Sequence, residues 1–197
     1  MRILVACEYS GAVSRAFREQ GHEAYSVDLL PADNDYDEPF HFVGDYRSAI
    51  DQIETNFGYI DIIIGHPPCT ALAVSGNRWY TGTTEREQSV QFVANMAAVF
   101  SEHARIGWAI ENPVGVLSSK WRKPSQYIQP WQFGHGETKK TGLWLSGLPA
   151  LVPTDIVEGR EQRIWKMGPS EDRWKERSKT FEGIAQAMAE QWGGIER

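Results

Sequence analysis

The chain has 197 residues, the length of one domain, and its 41% hydrophobic and 23% charged residues provide enough apolar mass for a core. This balance excludes fibrous and disordered proteins, and no apolar run reaches the eighteen residues of a membrane span. The first residues enter a strand-like segment directly, so we expect no secretory leader. Two cysteines, Cys7 and Cys69, are too few to cross-link a secreted fold of this size, which predicts a reducing, cytoplasmic location.

The net charge of −6 argues against a nucleic-acid partner until its distribution is considered. Residues 1–61 carry twelve acidic and four basic side chains (−8), whereas residues 118–179 carry twelve basic and seven acidic ones (+5). Five of the eight tryptophans, at positions 121, 131, 144, 165 and 174, lie in the second stretch. Tryptophans in a core and solvated lysines would give the same pattern. Basic residues among aromatics nevertheless favour a minimal nucleic-acid-binding surface in an irregular part at 115–179, within a single domain of residues 1–197.

Hydrophobic periodicity predicts strands that alternate with helices. In chain order we predict a strand at 3–7, a helix at 12–20, strands at 24–29 and 40–44, a helix at 49–57, a strand at 59–64, a helix at 84–104, strands at 106–110 and 142–145, and a helix at 183–192. The acidic segment 31–39, bounded by prolines, is predicted to be a mobile, solvated loop. The alternation indicates an α/β fold with a doubly wound, mostly parallel sheet flanked by helices, in which ligands bind beyond the carboxyl ends of the strands.

The first three strand ends favour an adenosyl ligand without a phosphate near the first turn. Gly11 stands alone where a dinucleotide fingerprint has two or three glycines, and there is no Walker lysine. Asp28 ends the second strand, where an acid accepts ribose hydroxyls, and Asp45 at the next strand end is placed for an adenine amino group. Asp28 is equally suited to capping nearby amides at the start of a loop. Together the two aspartates favour S-adenosylmethionine over NAD or ATP.

The next two strand ends suggest covalent chemistry. Two prolines after a buried strand hold Cys69 in a fixed direction, as a nucleophile requires, although a lone cysteine is more often a small buried hydrophobe. Glu111 ends the following strand, where it serves as a capping or salt-bridged residue or as a proton donor whose pKa is raised by poor solvation. A cysteine and a proton-donating glutamate are the pair needed for attack on an electron-poor pyrimidine.

These segments resemble cytosine-5 DNA methyltransferases. Gly65-His66-Pro67-Pro68-Cys69-Thr70 resembles the family's Pro-Cys motif, written G-x-P-C-Q or G-G-P-P-C-Q. Glu111-Asn112-Pro113-Val114-Gly115 resembles its Glu-Asn-Val motif, and the order and spacing of the two also match. As a whole the chain resembles the short methyltransferase-like proteins of bacteriophage and prophage genomes. The resemblance implies a Rossmann-like class I methyltransferase fold and S-adenosylmethionine-dependent methylation of DNA at cytosine C5, in the host cytoplasm if the protein is phage-encoded.

The resemblance also implies roles for individual residues. Cys69 would attack C6 of the cytosine, Glu111 would protonate or hydrogen-bond N3, and Asn112 would orient the catalytic loop. The implied cofactor site comprises Cys7, Glu8, Tyr9, Ser10, Gly11, Asp28, Leu29, Asp45, His66 and Pro67. Substrate contacts are expected from Pro68, Arg78, Lys139, Lys140 and Arg163. The partner would be double- or single-stranded DNA, its target base flipped out of any duplex, and no metal is expected.

The sequence departs from the family at several positions. Cys7 and Tyr9 replace the Phe and the first Gly of Phe-x-Gly-x-Gly, and Thr70 replaces the usual Gln. The nearest equivalents of the arginine motif are Lys139-Lys140-Thr141 and Gln162-Arg163, and little chain is left for target recognition. Three alternatives therefore stay open. They are an amino-methyltransferase, which has an aromatic residue at the position of Cys69, a nucleotide or RNA methyltransferase, and a degenerate methyltransferase fold that binds nucleic acid or a host factor.

Overall fold

A computed structural model describes residues 1–163 and 177–195. The strands are β1 (Arg2–Ala6), β2 (Glu23–Asp28), β3 (His41–Val43), β4 (Ile60–Gly65), β5 (Ala104–Pro113), β6 (Gln126–Ile128) and β7 (Thr141–Ser146). The α-helices are α1 (Ala12–Glu19), α2 (Tyr46–Phe57), α3 (Asn77–Tyr80), α4 (Thr84–His103), α5 (Leu117–Lys120) and α6 (Glu182–Gly193). No described helix is both long and apolar enough to cross a membrane.

Within the described residues, seven strands form one sheet in the order β3-β2-β1-β4-β5-β7-β6. Strands β1 to β5 pair in parallel, and β7 is antiparallel to both β5 and β6. It follows that β6 runs in the same direction as β5. This arrangement confirms the predicted α/β fold with a doubly wound, mostly parallel sheet. The carboxyl ends of β1, β2, β3, β4 and β5 consequently meet at one edge, together with the amino end of β7.

Helices cover both faces of the sheet because each strand alternates its buried side chains between two apolar clusters. On one face, β1 packs against α1 and α6 through Val13, Phe17, Ile184, Met188 and Trp192. On the other face, β1, β4 and β5 pack against α2 and α4 through Ile50, Ile53, Val93, Met96 and Phe100. The β4 residues Ile62, Ile63 and Ile64 are fully buried, which explains the uninterrupted apolar run in the sequence.

The predicted elements are found, with differences at their ends. Helix α2 begins at Tyr46 instead of 49, because Asp45 accepts a hydrogen bond from the Arg47 amide and caps the helix. Strand β5 extends to Pro113 because its last residues pair with the beginning of β7. Strand β6 was not predicted, since its three residues are too few to establish a period and are ordered only by pairing with β7.

The acidic loop between β2 and β3 is anchored, contrary to the prediction of a mobile, solvated loop. Asp37 is only 1% exposed and forms salt bridges with Arg15 and Arg18 of α1. It also accepts a hydrogen bond from Asn34 at 2.7 Å. The prediction failed because no local pattern indicates that two arginines of the preceding helix pair with the same carboxylate.

We expect Asp37→Ala to lower the free energy of unfolding by about 3–5 kcal/mol, because it leaves the Arg18 guanidinium, 9% exposed, without its carboxylate partner. Denaturant unfolding monitored by circular dichroism measures this value. Asp35→Ala, in the same loop and exposed, is the matched control and should change it by less than about 0.5 kcal/mol. Equal effects of the two substitutions would contradict the anchoring of the loop by Asp37.

Candidate functional site

The carboxyl ends of β4 and β5 bring the two predicted catalytic segments together. The strands are parallel neighbours, with Gly65 opposite Ile110. The next residues are His66, directly after β4, and Glu111 in β5. They therefore lie side by side at the carboxyl ends of the two strands. Cys69 lies three residues beyond His66 in the loop after β4. Glu111 lies more than forty residues after His66 and Cys69 in the sequence. The pairing of β4 with β5 brings it next to them.

The loop after β4 is clamped to the end of β5. Asn112 is buried, and its Nδ2 donates a hydrogen bond of 2.9 Å to the backbone oxygen of Pro67. The Val74 amide donates to Val114, and the Val116 amide donates to Leu72. These contacts fix the backbone on both sides of Cys69, which is the positioning that the resemblance implies for Asn112.

Cys69 is held as a thiol in the resting protein. Its side chain is half-buried, and burial raises its pKa, with a further increase from the negative charge of Glu111. Lys139 and Arg177 act in the opposite direction without cancelling the increase. The nucleophile is therefore protonated at rest, and attack on a substrate requires a group that accepts its proton.

Glu111 is ionised at rest, contrary to the prediction of a proton donor with a raised pKa. Burial alone would raise its pKa, but the hydrogen bond from His66 and the charge of Lys139 outweigh burial and lower it. His66 Nδ1 lies 3.1 Å from Glu111 Oε2, and the two side chains are 8% and 13% exposed. The prediction considered burial and omitted these two partners, which come from different strands.

Lys139 belongs to the same group of side chains. It lies two residues before β7, and its Nζ donates a hydrogen bond of 2.9 Å to the backbone oxygen of Arg177. From there its charge acts on both Cys69 and Glu111. Of the two sequence equivalents of the arginine motif, the structure brings Lys139 to the site, whereas Arg163 pairs with Glu137.

Eight of the ten predicted cofactor residues lie in the neighbouring region, around β1, β2 and β3, whereas His66 and Pro67 follow β4 and contact Glu111 and Asn112. Cys7 is the one described non-glycine residue with a positive φ, 59°. Burial raises the pKa of its thiol to about 12, and the carboxylates of Asp28 and Asp45 add to the increase. The Cys7 thiol is therefore neutral, and the negative charges of both acids contribute to keeping it so.

The β1–α1 turn is shaped by contacts within the protein. Glu8 is buried and accepts hydrogen bonds from the Val13 and Ser14 amides at 2.6 and 3.2 Å, so its carboxylate caps α1. Tyr9 is also buried, with its hydroxyl 3.4 Å from Ser178 Oγ, and Ser10 is partly exposed. A Cβ on Gly11, whose φ is 66°, would lie 2.5 Å from the Asp37 carboxylate.

The residues beside Asp28 fit an adenosyl group. Asp28 accepts a hydrogen bond from the Leu30 amide, and Asp45 caps α2. Leu29 and Val43, at the ends of β2 and β3, are 78% and 65% exposed. An acid for ribose hydroxyls flanked by exposed apolar side chains for a base is the donor set that S-adenosylmethionine requires. The described residues contain no group of His, Cys, Asp and Glu suited to a metal.

The predicted substrate residues are divided between the loop after β4 and the amino end of β7. Pro68 and Arg78 are exposed, and Pro67, assigned to the cofactor, is buried. Lys140 is exposed and lies over the Tyr127 ring at 4.5 Å. Sequence analysis missed Trp79, whose indole is 70% exposed beside the Arg78 guanidinium. Its only sequence signal was its position ten residues after Cys69.

The tryptophans of the basic part, residues 115–179, differ in whether they pack in the core or against an arginine. Trp144 is buried and packs against Trp121, so these two support the core interpretation. Trp131 lies under the Arg160 guanidinium at 3.9 Å. Trp165 and Trp174 lie outside the described residues. Several basic side chains of this part are already in salt bridges with acids: Lys120 with Glu87, Arg163 with Glu137, and Lys179 with Asp33.

Gly115 is required where the two catalytic segments cross. A Cβ at this position would lie 2.0 Å from the Leu72 carbonyl oxygen, a backbone atom that cannot move without opening the clamp. We expect Gly115→Ala to lower the free energy of unfolding by about 2–3 kcal/mol in denaturant titration. The exposed Gly194→Ala, at a negative φ, is the matched control. A stability equal to that of the control would contradict the close crossing.

Comparison with known proteins identifies the fold. No family model and no curated protein matches the chain. Among solved structures, it is similar to a protein named as a candidate DNA modification methyltransferase, encoded within a prophage of E. coli. The TM-score is 0.56 at 14% sequence identity, and the match covers 86% of this chain and 55% of the other. This chain thus spans about half the length of that protein. At this identity the likeness shows the fold alone, a Rossmann-like α/β fold.

Proposed function

We propose that the protein is an S-adenosylmethionine-dependent DNA methyltransferase that modifies cytosine at C5 through a covalent bond to Cys69. The observation that carries the proposal is the meeting of Cys69, Glu111 and Lys139 at the carboxyl ends of β4 and β5, next to the strand ends that carry Asp28 and Asp45. The fold shared with a prophage-encoded protein named as a candidate DNA modification methyltransferase supports the same class of substrate. A cytoplasmic location, in a bacterial host if the gene is of phage origin, agrees with the free thiols of Cys7 and Cys69.

The protonation states at rest suit the covalent step. Cys69 carries a proton and Glu111 does not. As Cys69 Sγ bonds to C6 of cytosine, Glu111 takes the thiol proton and passes it to N3, so that the electron pair of the C5–C6 bond becomes available at C5. S-Adenosylmethionine, when bound, supplies the electrophilic methyl group for C5. Loss of the C5 proton to water then reforms the C5–C6 double bond as Cys69 Sγ leaves, and the N3 proton returns through Glu111 to Sγ. Lys139 stabilises the negative charge of the site throughout.

Asp28, Leu29 and Val43 would hold the adenosine of the cofactor, with the carboxylate on the ribose and the apolar side chains against the base. The β1–α1 turn would face its methionine part through backbone groups, because the side chain of Glu8 is occupied by the helix amides.

Covalent trapping tests the proposal directly. With DNA containing 5-fluorocytosine and S-adenosylmethionine, C5 has no proton to lose, and the wild-type protein should form a complex that survives denaturing electrophoresis. Cys69→Ser should form none while binding the cofactor with unchanged affinity in calorimetry. Cys7→Ser is the second cysteine variant; because Cys7 belongs to the proposed cofactor site and Cys69 is retained, it should still be trapped at a cofactor concentration that saturates it in calorimetry.

Other outcomes distinguish the alternatives. Transfer of a labelled methyl group that persists in Cys69→Ser would overturn the covalent mechanism and favour an amino-methyltransferase. Transfer to RNA or to free nucleotides, but not to DNA, would change the substrate. No cofactor binding by the wild-type protein would favour a degenerate fold that binds nucleic acid or a host factor.

Trp79 provides a stacking surface for an unpaired base next to Cys69. It lies on α3, at the end of the clamped loop, with Arg78 beside it for a phosphate. Base–aromatic stacking contributes about 1–3 kcal/mol per base, so Trp79→Ala should weaken binding of a cytosine-containing oligonucleotide about tenfold in fluorescence anisotropy.

Trp79→Phe should retain most of this affinity because it retains a stacking face. Phe57→Ala removes an exposed aromatic side chain at the carboxyl end of α2, remote from the site, and should bind DNA like the wild type. Equal losses in Trp79→Ala and Phe57→Ala, or none in Trp79→Ala, would contradict a specific stacking role.

A further inference from the structure

The position of His66 is fixed independently of any ligand. Its backbone amide donates a hydrogen bond of 2.9 Å to Ala6 of β1, and Pro67 and Pro68 restrict the chain directly after it. The side chain therefore has one direction, towards β5, where Nδ1 lies 3.1 Å from Glu111 Oε2. Glycine occupies the corresponding position of the motif that this segment resembles, so this contact belongs to the present chain.

The pair is buried and incompletely satisfied. The His66 side chain is 8% exposed, and its Nε2 has no hydrogen-bond partner among the described residues. A buried imidazole with an unused nitrogen is costly unless its other nitrogen makes a strong contact. That contact is the charge-assisted hydrogen bond from Nδ1–H to the carboxylate, which also selects the tautomer of the ring.

We propose that His66 is a positioning residue for this reaction. Its hydrogen bond fixes the orientation of the Glu111 carboxylate so that the carboxylate can accept the proton of Cys69. This inference rests on the proposed function. Through Oε2, His66 fixes the rotation of the carboxylate and leaves Oε1 to exchange a proton between Cys69 and N3 of the base. The thiol proton thus moves from Sγ to Glu111 and on to N3, and no proton is taken from solvent.

The groups that face Glu111 come from several elements. His66 and Cys69 approach from the loop after β4, and Lys139 and Thr141 from the amino end of β7. Thr180 and Phe181, which directly precede α6, line the remaining side. Neither of these side chains titrates. His66, Lys139 and Thr141 all lower the pKa of Glu111, and of the three only His66 comes from the loop that carries Cys69.

The expected pH dependence follows from the pKa directions. The reaction needs one proton shared by Cys69 and Glu111, so its rate falls below the lowered pKa of Glu111 and above the raised pKa of Cys69. Without His66, burial still raises the pKa of Glu111, and one partner that lowers it is gone. The acid limb should therefore move towards neutral pH, while the alkaline limb stays in place.

The first test measures the rate of covalent trapping on 5-fluorocytosine DNA between pH 5 and 9 for wild type, His66→Asn and His66→Ala. We expect the wild-type rate at pH 6 to lie close to its maximum. We expect the acid limb of His66→Ala to lie about one pH unit above that of the wild type, so that at pH 5 its rate is a clearly smaller fraction of its own maximum. Asn retains a side-chain N–H near the position of Nδ1, so His66→Asn should give an acid limb between the other two.

The second test reads Glu111 without catalysis. In protein labelled with ¹³C at glutamate carboxyl carbons, assigned with Glu111→Gln, the midpoint of the Glu111 titration should lie higher in His66→Ala than in the wild type. Thermal unfolding should show that His66→Ala is folded at the temperature of the titration, with a lower midpoint because the buried Glu111 carboxylate loses a partner. If His66→Ala does not fold, the same comparison is made with His66→Asn.

The outcomes separate this inference from the proposed function. An unchanged Glu111 midpoint, or a rate lowered equally at every pH, would overturn the role of His66 and leave Cys69 chemistry intact. A raised midpoint in a protein that traps no cytosine would refute the proposed reaction while supporting the control of Glu111 by His66.

Discussion

The site depends on one register, the parallel pairing of β4 with β5 that sets Gly65 opposite Ile110. It makes His66 and Glu111 neighbours and lets the Asn112 amide reach the Pro67 carbonyl. A shift of one residue would turn Glu111 to the other face of the sheet, away from Cys69. The fully buried isoleucines of β4 oppose such a shift, so the packing of the core also fixes the geometry of the candidate active site.

The carboxyl ends of the strands contain two different electrostatic environments, one around Cys7 and one around Cys69. Around Cys7, the acids Asp28 and Asp45 keep a buried thiol neutral and provide acceptors for a ligand without negative charge. Around Cys69, Lys139 and Arg177 moderate the effect of Glu111 and make the second cysteine the more easily ionised one. Burial is the largest cause of the raised pKa of both thiols, and the two differ because basic side chains offset part of the increase only at Cys69. The division follows the charge asymmetry of the sequence, acidic in the first third and basic after residue 117.

The clamp between the two catalytic segments explains how a short chain keeps a precise geometry. Gly115 allows the backbone after β5 to approach Leu72, and the hydrogen bonds of Val74 and Val116 close the crossing. Arg86 is buried on α4, and its Nε donates a hydrogen bond to the Ala71 carbonyl. This bond ties the loop after β4 to α4. The outer part of this loop, with Arg78 and Trp79, is left exposed beside a rigid base. Recognition of an unpaired base there needs no separate large domain.

The sequence by itself determined the α/β fold and the positions of Cys69 and Glu111 at strand ends, because apolar runs and the prolines after β4 are local signals. Local signals did not reveal the anchoring of the acidic loop by Asp37, the short strand β6, or the pairing of His66 with Glu111. Each of these depends on partners distant in the chain: Arg15 and Arg18, β7, and the neighbouring strand. The protonation of Glu111 is the clearest case. Burial alone predicts a neutral acid, and only the tertiary structure, by adding His66 and Lys139, makes it a carboxylate.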